Sequence, residues 1–111
     1  MKLRAWPNGL GWSGRTRHGW ANVADCVSVL SVSVPIAPKR EWLDMPWKGE
    51  PRYVTIERFR WARVPLGTDP YVAVRLCRAH GMIADRNTDC RIDGPLIDPA
   101  NLGAPLDTAS V

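Results

Sequence analysis

The sequence predicts a small single domain that is mainly β, or α+β with little helix. The chain has 111 residues, enough for one modest hydrophobic core. Ten Pro and nine Gly interrupt it often, which favours short strands joined by turns over long helices. Two segments are rich in β-branched residues with apolar alternation. Together these features predict a β-rich core domain over residues 23–94.

The two ends of the chain differ from this core in composition and in periodicity. Residues 1–22 contain three Trp and four Gly with no period of 2 or 3.6, which predicts an irregular Trp/Arg/Gly-rich arm. Residues 95–111 carry three Pro and scattered Leu, which predicts a Pro-rich tail that lies on the domain surface or on a partner.

The first predicted strand covers residues 26–36, "CVSVLSVSVPI". Its apolar alternation changes phase at Leu30, which indicates a slip or bulge there, and Pro35 places the strand end at a sheet edge. Residues 38–45 are predicted to form a short helix with Pro38 near its first turn, followed by a turn.

A central antiparallel hairpin is predicted over about residues 52–79. Its first strand is 52–64, with a bulge near Glu57–Arg58 that would keep the apolar side inward. "PLGTDP" would be the loop. Residues 71–79 would return as a strand, because Val72, Val74 and Leu76 alternate along it. A turn-rich region follows.

Charge and cysteine content narrow the classes of function. The net charge is +4, made up of 12 Arg and 3 Lys against 11 acidic residues. Arginine suits phosphate, carboxylate and aromatic partners, although coding from a GC-rich genome would also enrich it. Three Cys do not make a disulfide framework, and no segment predicts a signal peptide or a membrane span. We therefore expect a cytoplasmic protein.

Two segments interleave arginines with aromatic residues. "WSGRTRHGW" and "RFRWAR" combine guanidinium groups that can neutralise phosphates with rings that can stack on bases. The alternative is that the aromatic side chains belong to the core and the arginines are solvated. We predict a site for nucleic acid or another acidic macromolecular partner at Arg15, Arg17, Trp20, Arg58, Arg60, Trp61 and Arg63.

Calcium is the first metal hypothesis. Asp85, Asn87, Asp89 and Asp93 have part of the spacing of an EF-hand loop, which the segment resembles over about ten residues. Cys90 stands where the loop needs Gly, and Leu96 stands where it needs the bidentate Glu. The alternative is a turn in which Asp and Asn bond their own backbone.

Zinc is the second metal hypothesis. Cys77, His80 and Cys90 could supply three ligands, with a fourth from Cys26, His18 or an Asp. A second close ligand pair is missing, and a buried free thiol is the alternative for Cys77. No cofactor is otherwise implied.

Catalysis is not predicted. The chain has no phosphate loop, no G-x-S-x-G and no H-E-x-x-H motif, and Cys77 and His80 would face opposite sides of a strand. A small oligomeric enzyme remains an alternative.

Protein binding is the other class that the sequence supports. Six Trp are many for this length, and Trp and Arg are enriched at interface hot spots. We expect Trp6, Trp12 and Trp42 to be the most exposed. The predicted function is therefore a non-enzymatic binding protein that acts as a nucleic-acid binder or as a subunit of an assembly, including a homo-oligomer. A metal-stabilised interaction domain is the alternative.

Overall fold

A computed structural model describes residues 1–44, 49, 52–85 and 94–100, and the backbone of residues 105–106. In this part of the chain, eight strands form one sheet and a single helix packs against it, which confirms the β-rich fold class. The elements are β1 (Arg4–Ala5), β2 (Gly11–Thr16), β3 (Gly19–Asp25), β4 (Val29–Leu43), β5 (Arg52–Pro65), α1 (Pro70–His80), β6 (Met82–Asp85), β7 (Leu96–Ile97) and β8 (Pro105–Leu106).

Strands β1 to β5 are antiparallel neighbours in chain order. The far side of β5 is shared by antiparallel β6, which pairs at residues 58–61, and by parallel β7, which pairs at Arg63. Strand β8 pairs with β7. The long β4–β5 pair is therefore the centre of the sheet.

The hydrophobic core lies between one face of the sheet and α1. Val32 is at its centre, paired with Val23 on one side and Ala62 on the other, and all three are fully buried or nearly so. The helix covers this face with Ala73, Val74, Leu76 and Cys77. We call this the helix face of the sheet, and the other the open face.

The N-terminal segment is a hairpin, so the prediction of an irregular arm over residues 1–22 was wrong. Strands β2 and β3 pair from Gly11↔Ala24 to Thr16↔Gly19. Gly11 and Gly14 hide the strand period of β2, because they are buried where other chain segments pass close by. A Cβ on Gly14 would lie 2.8 Å from the Lys2 carbonyl oxygen.

Strand β4 contains most of the first predicted strand but extends beyond it. Its ladder with β5 is uninterrupted from Val29 to Ile36, so there is no slip at Leu30 and Pro35 does not end the strand. The helix predicted over residues 38–45 is not formed: residues 39–43 pair with 52–56 of β5. The ladder with a neighbouring strand outweighs the helix-start signal of Pro38.

A bulge does occur opposite Glu57, but its extra residue is on β4. Ala37 and Pro38 together face Glu57, and the register shifts between Ile36 and Lys39. The Arg58 guanidinium donates to the Ala37 carbonyl oxygen from Nε (3.2 Å) and from its terminal nitrogen (3.0 Å). Because β5 itself has no extra residue, its side chains alternate without a break.

The third predicted strand, and with it the hairpin over 52–79, was wrong: residues 70–80 form α1. The Asp69 carboxylate accepts from the backbone N–H of Tyr71 (2.8 Å) and Val72 (3.3 Å), and Pro70 follows it in the first turn. This capping outweighs the β-branched Val72 and Val74. The central hairpin is instead β4–β5.

Candidate functional site

The β2–β3 turn presents the first predicted segment. Arg15 and Trp20 are directly paired across the hairpin, and the Arg15 guanidinium lies 5.7 Å from the centre of the Trp20 ring. The Thr16 hydroxyl shapes the turn by donating to the Gly19 carbonyl oxygen (2.9 Å) and accepting from the His18 N–H (3.2 Å). Gly19 has φ of 137°, which a residue with a side chain rarely adopts. Arg17 and His18 are exposed at the tip.

The second predicted segment is divided between the two faces of the sheet. Arg60 lies opposite Val34 and Arg58 opposite Ile36, so both belong to the helix face. Trp61 pairs with Ser33 and Arg63 with Ser31, so both belong to the open face, with Phe59 6.1 Å from Trp61 between ring centres. The segment therefore does not form one surface.

Three arginines of β5, Arg58, Arg60 and Arg63, each bond a backbone carbonyl. Arg60 donates to the Gly81 carbonyl oxygen just beyond the end of α1 (3.0 Å), and Arg63 donates to that of Gly94 (2.8 Å). These bonds hold the chain after α1 and the chain before β7 against β5. A guanidinium has five N–H donors, so each arginine keeps donors for a further partner.

A basic cavity of about 570 Å³ opens on the helix face beside the β2–β3 turn. Four arginines and one histidine line it, its floor includes Val34 and Ile36, and no carboxylate is among its lining residues. A concave site with charges of one sign concentrates its electrostatic field. The lining residues are Met1, Arg15, Thr16, Arg17, His18, Val34, Pro35, Ile36, Ala37, Arg60 and Arg78.

An aromatic cavity of about 460 Å³ adjoins it on the open-face side of the same turn. Trp20 and Phe59 are its two rings, and it shares His18, Pro35 and Ile36 with the basic cavity. Its lining residues are His18, Gly19, Trp20, Asn22, Pro35, Ile36, Pro38, Thr55, Glu57, Arg58 and Phe59.

The predicted site residues thus separate into two groups. Arg15, Arg17 and Arg60 line the basic cavity, and Trp20 and Arg58 line the aromatic cavity. Trp61 and Arg63 line neither of them. The prediction missed Arg78, which enters the basic cavity from the last turn of α1. The capping signal of Asp69 and Pro70 could have identified the helix and hence this residue.

The exposed aromatic residues differ in part from those expected. Trp42 is 53% exposed, as predicted, on the part of the β4–β5 hairpin beyond the bulge. It contacts Tyr53 edge to face (4.9 Å between ring centres), and Arg40 covers the Tyr53 ring. Trp6 and Trp12 are half-buried rather than exposed, and Trp12 packs against the core.

Cys77, one of the residues of the zinc hypothesis, is in an environment that disfavours metal binding. Its thiol is buried, with Sγ 3.3 Å from the Arg60 carbonyl oxygen and 3.7 Å from that of Val32. Burial raises the pKa of Cys77 to about 12, while Arg60 and Arg78 oppose the rise. A thiolate, the form that binds metal or acts as a nucleophile, is therefore disfavoured. Within the described residues, no three His, Cys, Asp or Glu side chains group as a metal site.

Both metal hypotheses also involve residues outside the described part of the chain. Cys90, Asn87, Asp89 and Asp93 lie there, so the calcium hypothesis stays a prediction. Asp85 is described, and it is exposed at the end of β6.

Comparisons with protein-family models, with curated proteins and with solved structures found no match. Among the described residues, no helix has the length and apolar character needed to cross a membrane. The fold and site define a small β-sheet protein with one covering helix and adjoining basic and aromatic cavities at the β2–β3 turn.

Proposed function

We propose that this protein binds nucleic acid without catalysis, through backbone phosphates held in the basic cavity. The observation that carries the proposal is the lining of that cavity: Arg15, Arg17, His18, Arg60 and Arg78 surround it without a carboxylate. The planar guanidinium of Arg suits phosphate, and a nucleic-acid chain presents phosphates in a continuous row. The adjoining aromatic cavity favours nucleic acid over an acidic protein, since it offers a place for a base.

The physical basis is charge neutralisation with release of counterions. Affinity falls as salt concentration rises, and each arginine that neutralises a phosphate steepens the slope of log affinity against log salt concentration. The increase in slope is about 0.7 for a single strand and about 0.9 for duplex DNA. Arg17 on the β2–β3 turn and Arg78 in the last turn of α1 are exposed and can reach phosphates. Arg15 is also exposed, near the end of β2, with its guanidinium beside the Trp20 ring. Arg60 is held by its bond to Gly81, which fixes its position at the cavity wall.

Arg78→Ala tests the cavity with a matched control, Arg75→Ala. Both arginines are exposed on α1, but only Arg78 lines the basic cavity. We expect Arg78→Ala to lower affinity for a fluorescein-labelled oligonucleotide several-fold and to reduce the salt slope by about 0.7 to 1. Arg75→Ala should change neither by a comparable amount. Fluorescence anisotropy across a series of salt concentrations gives both quantities.

Two results would contradict the proposal. The wild-type protein would fail to bind oligonucleotides even at low salt, or the two arginine variants would lose the same affinity. The second result would mean that overall positive charge, rather than the cavity, attracts the nucleic acid.

A further inference from the structure

We infer that the site selects single-stranded over duplex nucleic acid, taking one unpaired base into the aromatic cavity while neighbouring phosphates lie in the basic cavity. This inference rests on the proposed function and adds the class of nucleic acid. It comes from the way the two cavities divide aromatic surface and charge around the β2–β3 turn.

Trp20 provides a stacking surface in a fixed position. Its side chain is 55% exposed, and the hairpin pairs it with Arg15, whose guanidinium covers the ring. Arg15 does not line the aromatic cavity, whereas Trp20 does. The part of the ring turned toward Pro35 and Phe59 borders the aromatic cavity, and a base stacked there adds affinity for any base type. On its other side, Trp20 lines a separate cavity of about 510 Å³ together with Arg15.

The lining of the two cavities assigns base and phosphate to different places. The aromatic cavity has the rings of Trp20 and Phe59, and its charges are mixed because Glu57 lies beside Arg58. The basic cavity has cations without a lining carboxylate. A nucleotide with its base beside Trp20 and Phe59 and its phosphate toward the arginines satisfies both environments.

The connection between the cavities favours a flexible chain. They share His18, Pro35 and Ile36, so a ligand that occupies both must bend around the tip of the β2–β3 turn. A single strand can make that bend. A duplex has a persistence length of about 50 nm and keeps its bases stacked inside, so it would have to unpair a base first.

The test compares three probes of equal length: a single-stranded oligonucleotide, the same sequence as duplex, and a single strand with abasic sites throughout its centre. The variants are Trp20→Ala, Trp20→Phe and the control Trp42→Ala, which removes an equally exposed Trp far from the turn. Circular dichroism and urea unfolding confirm that each variant is folded.

We expect the wild-type protein to bind the single strand more tightly than the duplex or the abasic strand. Trp20→Ala should weaken single-strand binding about five- to hundredfold, the range for loss of one base stack, without changing the salt slope. Trp20→Phe should retain most of the affinity, and Trp42→Ala should match wild type. Trp20→Ala should make little difference to the abasic strand, which has no base to stack.

Equal affinity for single strand and duplex, together with an unaffected Trp20→Ala variant, would overturn the inference. The proposed function would then still stand if Arg78→Ala weakens binding and Arg75→Ala does not. Absence of binding to all three probes at low salt would overturn both.

Discussion

At the scale of single residues, Cys77 shows how burial sets chemistry. The sequence offers this thiol as a zinc ligand, because His80 follows three residues later. The fold instead places it in the core, between α1 and the β4–β5 pair, where its pKa rises to about 12. Cys77 is therefore a core residue that keeps its proton at neutral pH.

The raised pKa of Cys77 predicts a loss of stability at high pH. The unfolded thiol gives up its proton near pH 9.0, whereas the folded one keeps it until about pH 12. Stability is therefore unaffected by this group below pH 9 and falls as pH rises from 9 to 12, by up to about 1.4 kcal/mol per pH unit.

Urea unfolding at pH 8, 9 and 10 measures this effect as the difference between wild type and Cys77→Ala. At pH 8 the variant should be less stable than wild type by about 1–2 kcal/mol, because the substitution leaves a small cavity. Its free energy of unfolding should then change less with pH than that of wild type. Cys26→Ala is the control, since Cys26 is exposed. Parallel pH curves for wild type and Cys77→Ala would show that the thiol does not contribute.

At the scale of elements, α1 is the part of the fold that sequence patterns misrepresent. Val72, Val74 and Leu76 alternate as in a strand, yet the buried positions 73, 74, 76 and 77 have helical spacing. The two patterns overlap in this short segment. The N-cap residue Asp69 decides between them. In the helix its carboxylate accepts hydrogen bonds from two backbone N–H groups of the first turn, and a strand would not bring these groups to it.

Asp69→Ala should lower the free energy of unfolding by about 1 kcal/mol, since it leaves two N–H groups of the first helical turn without their acceptor. Asp69→Asn keeps an acceptor oxygen and should retain most of the stability. Urea unfolding monitored by circular dichroism measures both. Equal losses in the two variants would assign the effect to charge rather than to capping.

At the scale of the whole molecule, the core and the site depend on the same sheet. Val32 is at the centre, between β3 and β5 and beneath α1. Three segments far apart in sequence reach the basic cavity from this frame: the β2–β3 turn, Arg60 on β5 and Arg78 on α1. The site can exist only when the entire sheet and helix are assembled.

Val32→Ala should therefore destabilise the molecule as a unit, by about 2–3 kcal/mol, because it removes two buried methyl groups and leaves a cavity. Val27→Ala is the matched control, since Val27 is fully exposed in the β3–β4 turn, and its effect should be within about 0.5 kcal/mol. Thermal unfolding followed by far-UV and by Trp signals should give coincident transitions in both variants. Separate transitions would show that the N-terminal hairpin unfolds independently.

The sequence by itself determined the β-rich class, the first part of β4, nearly all of β5 and three of the four arginines that line the basic cavity. Alternation and β-branching are local properties, and a strand displays them wherever it lies in a sheet. The sequence placed an irregularity near Glu57, and a bulge is there, but its extra residue is on β4, so it does not bring the two apolar phases of β5 to one face.

Only the tertiary structure decided which face of β5 is covered and which charges come together. A period of two separates the faces of a strand but does not say which face receives the helix. Here α1 covers Ala62 and Val64, so Arg60 joins the basic cavity while Trp61 and Arg63 remain on the open face. Arg78, which is 18 residues after Arg60 in the sequence, lines the same cavity from α1. Contacts over such distances depend on the packing of α1 against the sheet, which no local pattern specifies.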